Sequence, residues 1–297
     1  MLYNYEREIL TIISERKKNM KKIISLLLIL TLAVTGILMV SCGEDKKDDD
    51  TKQEANNSET PENTDKPTED EKPADSGKIV MATNAYFQPY EYYDGDKIVG
   101  IDAEIADAIA KKLGKELVIS DMEFDSIITA VKGGSVDFGM AGMTVTDERL
   151  KEINFTVSYA SGVQSIIVKE DSPIATVDDL YGDGVTYKVG VQLGTTGDIY
   201  SSDDFGSDRV TQYNNANNAV LALIGGDVDC VIIDNEPAKA LVAANEGLKI
   251  LETSYADEDY AICVAKENTE LLDKINAAIV ELTSDGTIDA IVSKYIK

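Results

Sequence analysis

Ser126-Ile-Ile-Thr-Ala-Val-Lys-Gly133-Gly134-Ser-Val136-Asp137-Phe-Gly-Met140 has a second copy of its pattern in Asn218-Ala-Val-Leu-Ala-Leu-Ile-Gly225-Gly226-Asp-Val228-Asp229-Cys-Val-Ile232. Each stretch reads as a short amphipathic helix, a Gly-Gly stop that supplies a left-handed cap, and a buried strand. The continuations differ. The first copy runs into Gly142-Met143-Thr144 with Arg149 close behind, and the second ends at Asp234. In open α/β sheets, ligands bind outside the carboxyl ends of the strands. Two such units facing each other set a cation and an anion across one crevice, which suits a zwitterion.

Working outward, strand and helix patterns alternate from Lys78 onward. Strands are expected at 78–83, 117–120, 153–155, 164–169, 187–191 and 260–265, and a helix at 102–113 with an apolar face at Ile105, Ile109 and Leu113. Gly114 stops that helix, and Thr146 caps a short one whose first turn holds Asp147 and Glu148. Two amphipathic helices fill 271–295. Such alternation predicts an α/β fold with mostly parallel strands flanked by helices.

Composition narrows the function. The chain has 297 residues, and 54 acidic against 28 basic residues give a net charge of −26, which excludes nucleic acid as a partner because phosphate binding needs clustered Lys and Arg. It contains no histidine, so Ser-His and Cys-His catalysis and histidine-ligated metals are excluded together. No catalytic residue, cofactor or metal site is expected. Of the three cysteines, Cys230 and Cys263 sit in apolar runs and read as small buried hydrophobes.

The N-terminus reads as a leader. Lys21-Lys22, the apolar run 23–40 and Ser41-Cys42 have the organisation of a secretory signal, with residues 1–41 removed. Met39-Val40-Ser41-Cys42 resembles the bacterial lipobox, with methionine where leucine is usual. That resemblance implies lipidation of Cys42 and attachment to the membrane surface. Residues 1–19 precede a complete signal, and translation is expected to start at Met20. Residues 42–77 are polar, acidic and nearly devoid of apolar side chains, the composition of a disordered linker.

From Gly77 to Lys297 the chain resembles the extracytoplasmic amino-acid-binding proteins of ABC importers, with their two-lobed, type II periplasmic-binding-protein fold. The resemblance rests on Ala82-Thr83-Asn84 with Pro89-Tyr90-Glu91, on Val99-Gly100-Ile101-Asp102, and on Ala141-Gly142-Met143-Thr144-Val145-Thr146-Asp147-Glu148-Arg149. It extends through Val189-Gly-Val-Gln192-Leu-Gly194-Thr195-Thr196-Gly197 and Ile232-Ile233-Asp234-Asn235-Glu236-Pro237. Ile101 stands where the family usually has phenylalanine.

Residue chemistry and resemblance then meet at the same positions. A guanidinium fork matches a carboxylate with two parallel hydrogen bonds, and the resemblance makes Arg149 the holder of a ligand α-carboxylate. Gly194-Thr195-Thr196 opens a helix, a place for an anion or simply a capped turn. No Lys-Ser or Lys-Thr follows to make it a P-loop. By resemblance Thr196 also holds the carboxylate. Asp234 ends an apolar run, where a carboxylate needs a partner or serves as a helix cap. The resemblance assigns it to the ligand ammonium, with Gly142 and Thr144. By the same resemblance Phe87 and Phe124 pack over the ligand side chain, and Asn84 and Gln192 set specificity. Asn84 is neutral, which favours a polar uncharged amino acid.

The resemblance also implies lobes at 78–160 with 260–297 and at 161–259, chain crossings near 159–164 and 256–260, hinge closure on the ligand, a monomer, and an ABC permease as partner. With its two thiols in different lobes, the protein should form no Cys230–Cys263 bridge. The rivals are an enzyme on the same fold, resembling cyclohexadienyl dehydratase, or a ligand sensor. For the enzyme no spare buried carboxylate is expected beyond Asp234.

Overall fold

The computed structural model describes residues 77–296. The leader at 1–41, Cys42 and the linker up to residue 76 lie outside the described residues. In chain order the first elements are strands β1 (Lys78–Thr83), β2 (Tyr86–Phe87), β3 (Glu91–Asp94) and β4 (Lys97–Val99), then helix α1 (Ile101–Lys112) and β5 (Glu116–Asp121). Next come α2 (Ile127–Lys132), β6 (Phe138–Gly139), α3 (Asp147–Glu152), β7 (Asn154–Phe155) and β8 (Ala160–Lys169). The middle of the chain forms β9 (Val189–Gln192), α4 (Thr196–Phe205), β10 (Val210–Tyr213), α5 (Ala216–Gly225), β11 (Cys230–Asp234) and α6 (Asn235–Ala244). It closes with β12 (Leu248–Ile250), β13 (Ala256–Tyr260), β14 (Cys263–Val264), α7 (Thr269–Ser284) and α8 (Thr287–Tyr295).

Two sheets organise these elements, one in the order β5-β1-β6-β14-β7 and the other β10-β9-β11-β8-β12, with β13 also paired to β8. The strands that follow the Gly-Gly stops are parallel to their neighbours, β6 to β1 and β11 to β9. The wider expectation of mostly parallel sheets needs correction. β14 pairs antiparallel with β6 and β7, and β8 pairs antiparallel with β11, β12 and β13. The parallel pairs are those joined through helices, whereas β8, β13 and β14 are where the chain leaves one sheet and returns, which reverses strand direction.

Local sequence explains the helices. In α1, Ile101, Ile105 and Ile109 are fully buried against β1 and the C-terminal helices, each contributing about 1.5–3 kcal/mol of apolar burial. Asp102 and Glu104 lie in its first turn and Lys111 and Lys112 in its last, as the helix dipole favours. Gly226 is the left-handed C-cap of α5, and Gly134 takes the same sign of φ behind α2. Cys230 and Cys263 are buried and unbridged, and burial pushes both thiols up to about 12.

Several strands escape the sequence pattern, β2, β3, β4, β10, β12 and β13, and the last of them matters most for the site. β13 carries Asp257, Glu258 and Asp259 in a row, which reads as a loop, and it sits just before the strand expected at 260–265. Its side chains nevertheless alternate, with Asp257 and Asp259 exposed and Glu258 and Tyr260 buried. It runs antiparallel to β8, pairing Tyr260 with Ala160 and Ala256 with Gln164, and an isolated bridge joins Tyr260 to Thr144. The β8–β13 ribbon thereby passes between the two sheets.

Candidate functional site

One cavity is lined by all nine of the candidate binding residues: Asn84, Phe87, Phe124, Gly142, Thr144, Arg149, Gln192, Thr196 and Asp234. The loop after β6 supplies the cationic side. Gly142 has a left-handed φ of 54°, and a Cβ there would meet the Phe87 ring at 2.7 Å, so the loop presses its backbone against the aromatic wall. The Gly142 N–H donates to Asp102 Oδ2 at 2.8 Å, and the Tyr159 hydroxyl donates to the same oxygen at 2.8 Å. Beside Asp102 lies Glu91, fully buried, with no other donor to either oxygen. Burial, then the Asp102 charge, drives the Glu91 carboxyl well above its ordinary range. Glu91 therefore keeps its proton and shares it with Asp102, whose own value burial raises to about 6.

Thr146 caps α3 by accepting from the Arg149 N–H at 3.2 Å, which fixes the start of the arginine's helix turn. Arg149 is 6% exposed. It donates Nη1–H to the Thr144 carbonyl at 2.6 Å and Nη2–H to the Gly194 carbonyl at 2.9 Å, reaching from the first sheet to the loop behind β9. Its carbon Cζ lies 5.4 Å from the Phe124 ring centre. A guanidinium carries five N–H donors, so donors remain for a ligand. Burial lowers its pKa, yet Glu258 pulls the other way and the group stays charged.

The second sheet supplies the opposite charge. Asp234 ends β11 and caps α6 by accepting from Glu236 N–H at 3.3 Å. It also accepts the Tyr260 hydroxyl. Gly162 makes room for this contact, since a Cβ there would lie 2.3 Å from both Asp234 Oδ2 and the Tyr260 oxygen. Asp234 is 1% exposed, and burial raises its pKa to about 7 against the hydrogen bonds from Tyr260 and Glu236. At the start of α4, Thr195 caps the helix by accepting from Asp198 N–H, and Thr196 is the first helical residue. Asn84 Oδ1 accepts from Gln192 Nε2 at 2.9 Å, a second contact between the sheets.

Among the cavity residues that sequence reasoning missed, Glu258 stands at the centre of the polar wall. Buried on β13, it accepts from Thr144 Oγ1 and from Thr196 Oγ1, the latter at 2.7 Å, and burial raises its pKa. The expectation of no buried carboxylate beyond Asp234 is corrected accordingly: Glu91 and Glu258 also line the cavity. The signal was available in the alternation of β13, but the acidic run masked it. Among the described residues, no group of three or more His, Cys, Asp and Glu side chains is placed to hold a metal, and no helix is long and apolar enough to cross a membrane.

Comparison with known proteins adds to this geometry. The chain is 34% identical to the arginine-binding extracellular protein ArtP of Bacillus subtilis (strain 168) over 233 residues, 75% of this chain and 88% of that one. A solved structure of an ancestral arginine-binding protein bound to glutamine superposes with a TM-score of 0.70 at 39% identity, covering 75% of this chain and 99% of that one. The arginine-bound structure of an ancestral arginine-binding protein gives 0.69 at 39% identity, covering 74% and 99%. Residues 79–297 match the family described as bacterial extracellular solute-binding proteins, family 3. On these matches, and on a fold of two helix-flanked sheets around one polar cavity, the chain belongs to that family of extracellular solute-binding proteins.

Proposed function

We propose that this protein captures a free amino acid in the cavity between its two sheets and delivers it to an ABC import permease. One observation carries the reading: Arg149, on helix α3, and Asp234, at the end of β11 in the second sheet, are of opposite charge, are both buried and line the same cavity. Arg149 takes the ligand carboxylate with the free main-chain N–H groups at the start of α4, including that of Thr196. Asp234 takes the ammonium with the Gly142 carbonyl and the Thr144 hydroxyl. Phe87 and Phe124 pack along the side chain, and Asn84 and Gln192 meet its polar end.

Uncharged amides at Asn84 and Gln192 favour a polar uncharged side chain, with glutamine first. A second reading has its own support. Asp234 and Glu258 outnumber Arg149 in the cavity wall, which favours a cationic side chain such as arginine. The relatives include proteins named for arginine binding and one solved with glutamine. Isothermal titration of the purified protein with L-glutamine and L-arginine separates the two, and failure to bind any of the twenty amino acids would refute capture.

Lobe 1 comprises 78–160 and 260–297 and lobe 2 comprises 161–259, with the β8–β13 ribbon as hinge, and an amino acid held by both lobes draws them together. The protein acts as a monomer tethered outside the cell by lipid on Cys42, with residues 42–77 as spacer. The binding reading is favoured over an enzyme because the relatives and solved structures that the chain resembles are named as binding proteins. Release of the ligand chemically unchanged after prolonged incubation is the expected result.

A further inference from the structure

Besides the Glu91 carboxyl, two side-chain oxygens in the cavity wall accept no hydrogen bond of ordinary geometry, Oε1 of Glu258 and Oε1 of Gln164, although the Gln164 side chain lies near enough to Glu258 to favour its charged form. Their residues are 4% and 5% exposed, so neither oxygen is served by bulk water. An acceptor buried in this way is costly unless something else brings the donor. The other carboxylate oxygen, Glu258 Oε2, is occupied by the hydroxyls of Thr144 and Thr196. A threonine hydroxyl has one proton and two lone pairs. With both protons given to Glu258, the two hydroxyls offer the cavity lone pairs alone.

Around Glu258 this part of the wall therefore presents mainly acceptors, and the Asp234 carboxylate adds to them. An ammonium group carries three N–H donors and no acceptor, and is the complement of such a wall. The Glu258 charge adds to the burial that hinders ionisation of Asp234, a repulsion that a cation between them relieves.

We propose that Glu258 is a specificity-determining residue, a second anionic anchor for the ligand's α-ammonium. Oε1 accepts directly from the ammonium, and Oε2 turns the lone pairs of Thr144 and Thr196 toward it. The hydroxyl of Thr196 then serves the ammonium end, and Thr196 holds the carboxylate through its main-chain N–H. The inference rests on the capture reading and adds a chemical selectivity to it: the site tells α-amino acids from the same molecules without the amino group.

The test is Glu258→Gln, which keeps the size of the side chain and removes its charge. Isothermal titration at pH 8 compares L-glutamine and L-arginine with 4-carbamoylbutanoic acid and 5-guanidinopentanoic acid, their des-amino counterparts. Glu258→Gln should weaken the bound amino acid about 30-fold and change its des-amino counterpart less than about twofold. An equal fall for both members of a pair overturns the proposal, because it marks a structural role. So does an unchanged affinity. Loss for L-arginine with L-glutamine spared overturns it in favour of a contact to the side-chain cation. Glu258→Asp keeps the charge and should keep the preference for the amino group; losing that preference while still binding also counts against the proposal. Wild-type protein that binds neither amino acid nor any other refutes capture itself, a result distinct from any of these.

Discussion

The two copies of the helix–Gly-Gly–strand pattern place opposite charges by different means. Behind the first, β6 lasts two residues and the chain spills into a loop, so the cation must reach the cavity on a long side chain from α3. Behind the second, β11 runs for five buried residues and delivers a short carboxylate at its own end. The surroundings differ as well. Arg149 is satisfied by two main-chain carbonyls and stays charged, whereas Asp234 receives a hydroxyl and one amide and is pushed up to about 7. The cationic end is pre-stabilised by the fold, and the anionic end depends on a partner.

The contrast breaks most severely when either anchor is removed. Arg149→Ala and Asp234→Ala should each weaken amino-acid binding by about 30-fold or more, from the roughly 2–5 kcal/mol lost when one member of a buried charged pair goes. Titration calorimetry with the bound amino acid reads this. Near-wild-type affinity in either variant would remove that residue from the site.

Acidity should act on one end only. The free protein holds Asp234 at about 7, and an ammonium partner lowers that value, so binding uses the ionised form. Affinity should be full above pH 7 and fall by up to about tenfold per unit below it, with Glu258, raised likewise, steepening the loss. Dissociation constants measured from pH 8 to pH 5 test this. A flat profile would mean that Asp234 does not meet the ligand cation.

Stability should separate the two anchors in the opposite sense. Asp234 has a folded pKa above its unfolded one, so its contribution is best below the ordinary carboxylate range and is lost as pH rises through about 7. Asp234→Asn should therefore stabilise the protein at pH 8, without amino acid, by ~2 kcal/mol, or roughly 4–8 °C in thermal midpoint. Arg149→Met should destabilise it by about 1–3 kcal/mol, because the Thr144 and Gly194 carbonyls lose their donor. Thermal unfolding that ranked the two the other way would reverse the comparison. The smallest effect concerns the thiols: Cys230 and Cys263, both near 12, should resist alkylation in the folded protein, as a mass measurement would show.

Much of the architecture was legible in the sequence because its signals are local. The 78–83 strand falls on β1 as expected, and α1 differs from its expected span by one residue at each end. Gly134 and Gly226 turn left-handed behind their helices. What local pattern could not supply was the hairpin of β2, β3 and β4, the length of β8, and β13 with its acidic run. A strand of charged residues is stable only where a neighbour takes up its backbone and a cavity takes up its inward side chain, and both lie far away in the chain.

By itself the sequence determined the alternation of elements, the Gly-Gly stops and the residues from which a cation and an anion could be drawn, since propensity, capping and periodicity act between residues a few positions apart. Only the tertiary structure decided how those charges behave. Glu258 meets Thr144 across 114 positions and Thr196 across 62, and Glu91 must keep its proton because Asp102 is buried beside it. Charge state depends on desolvation and on neighbours in space, and neither exists until the chain has folded.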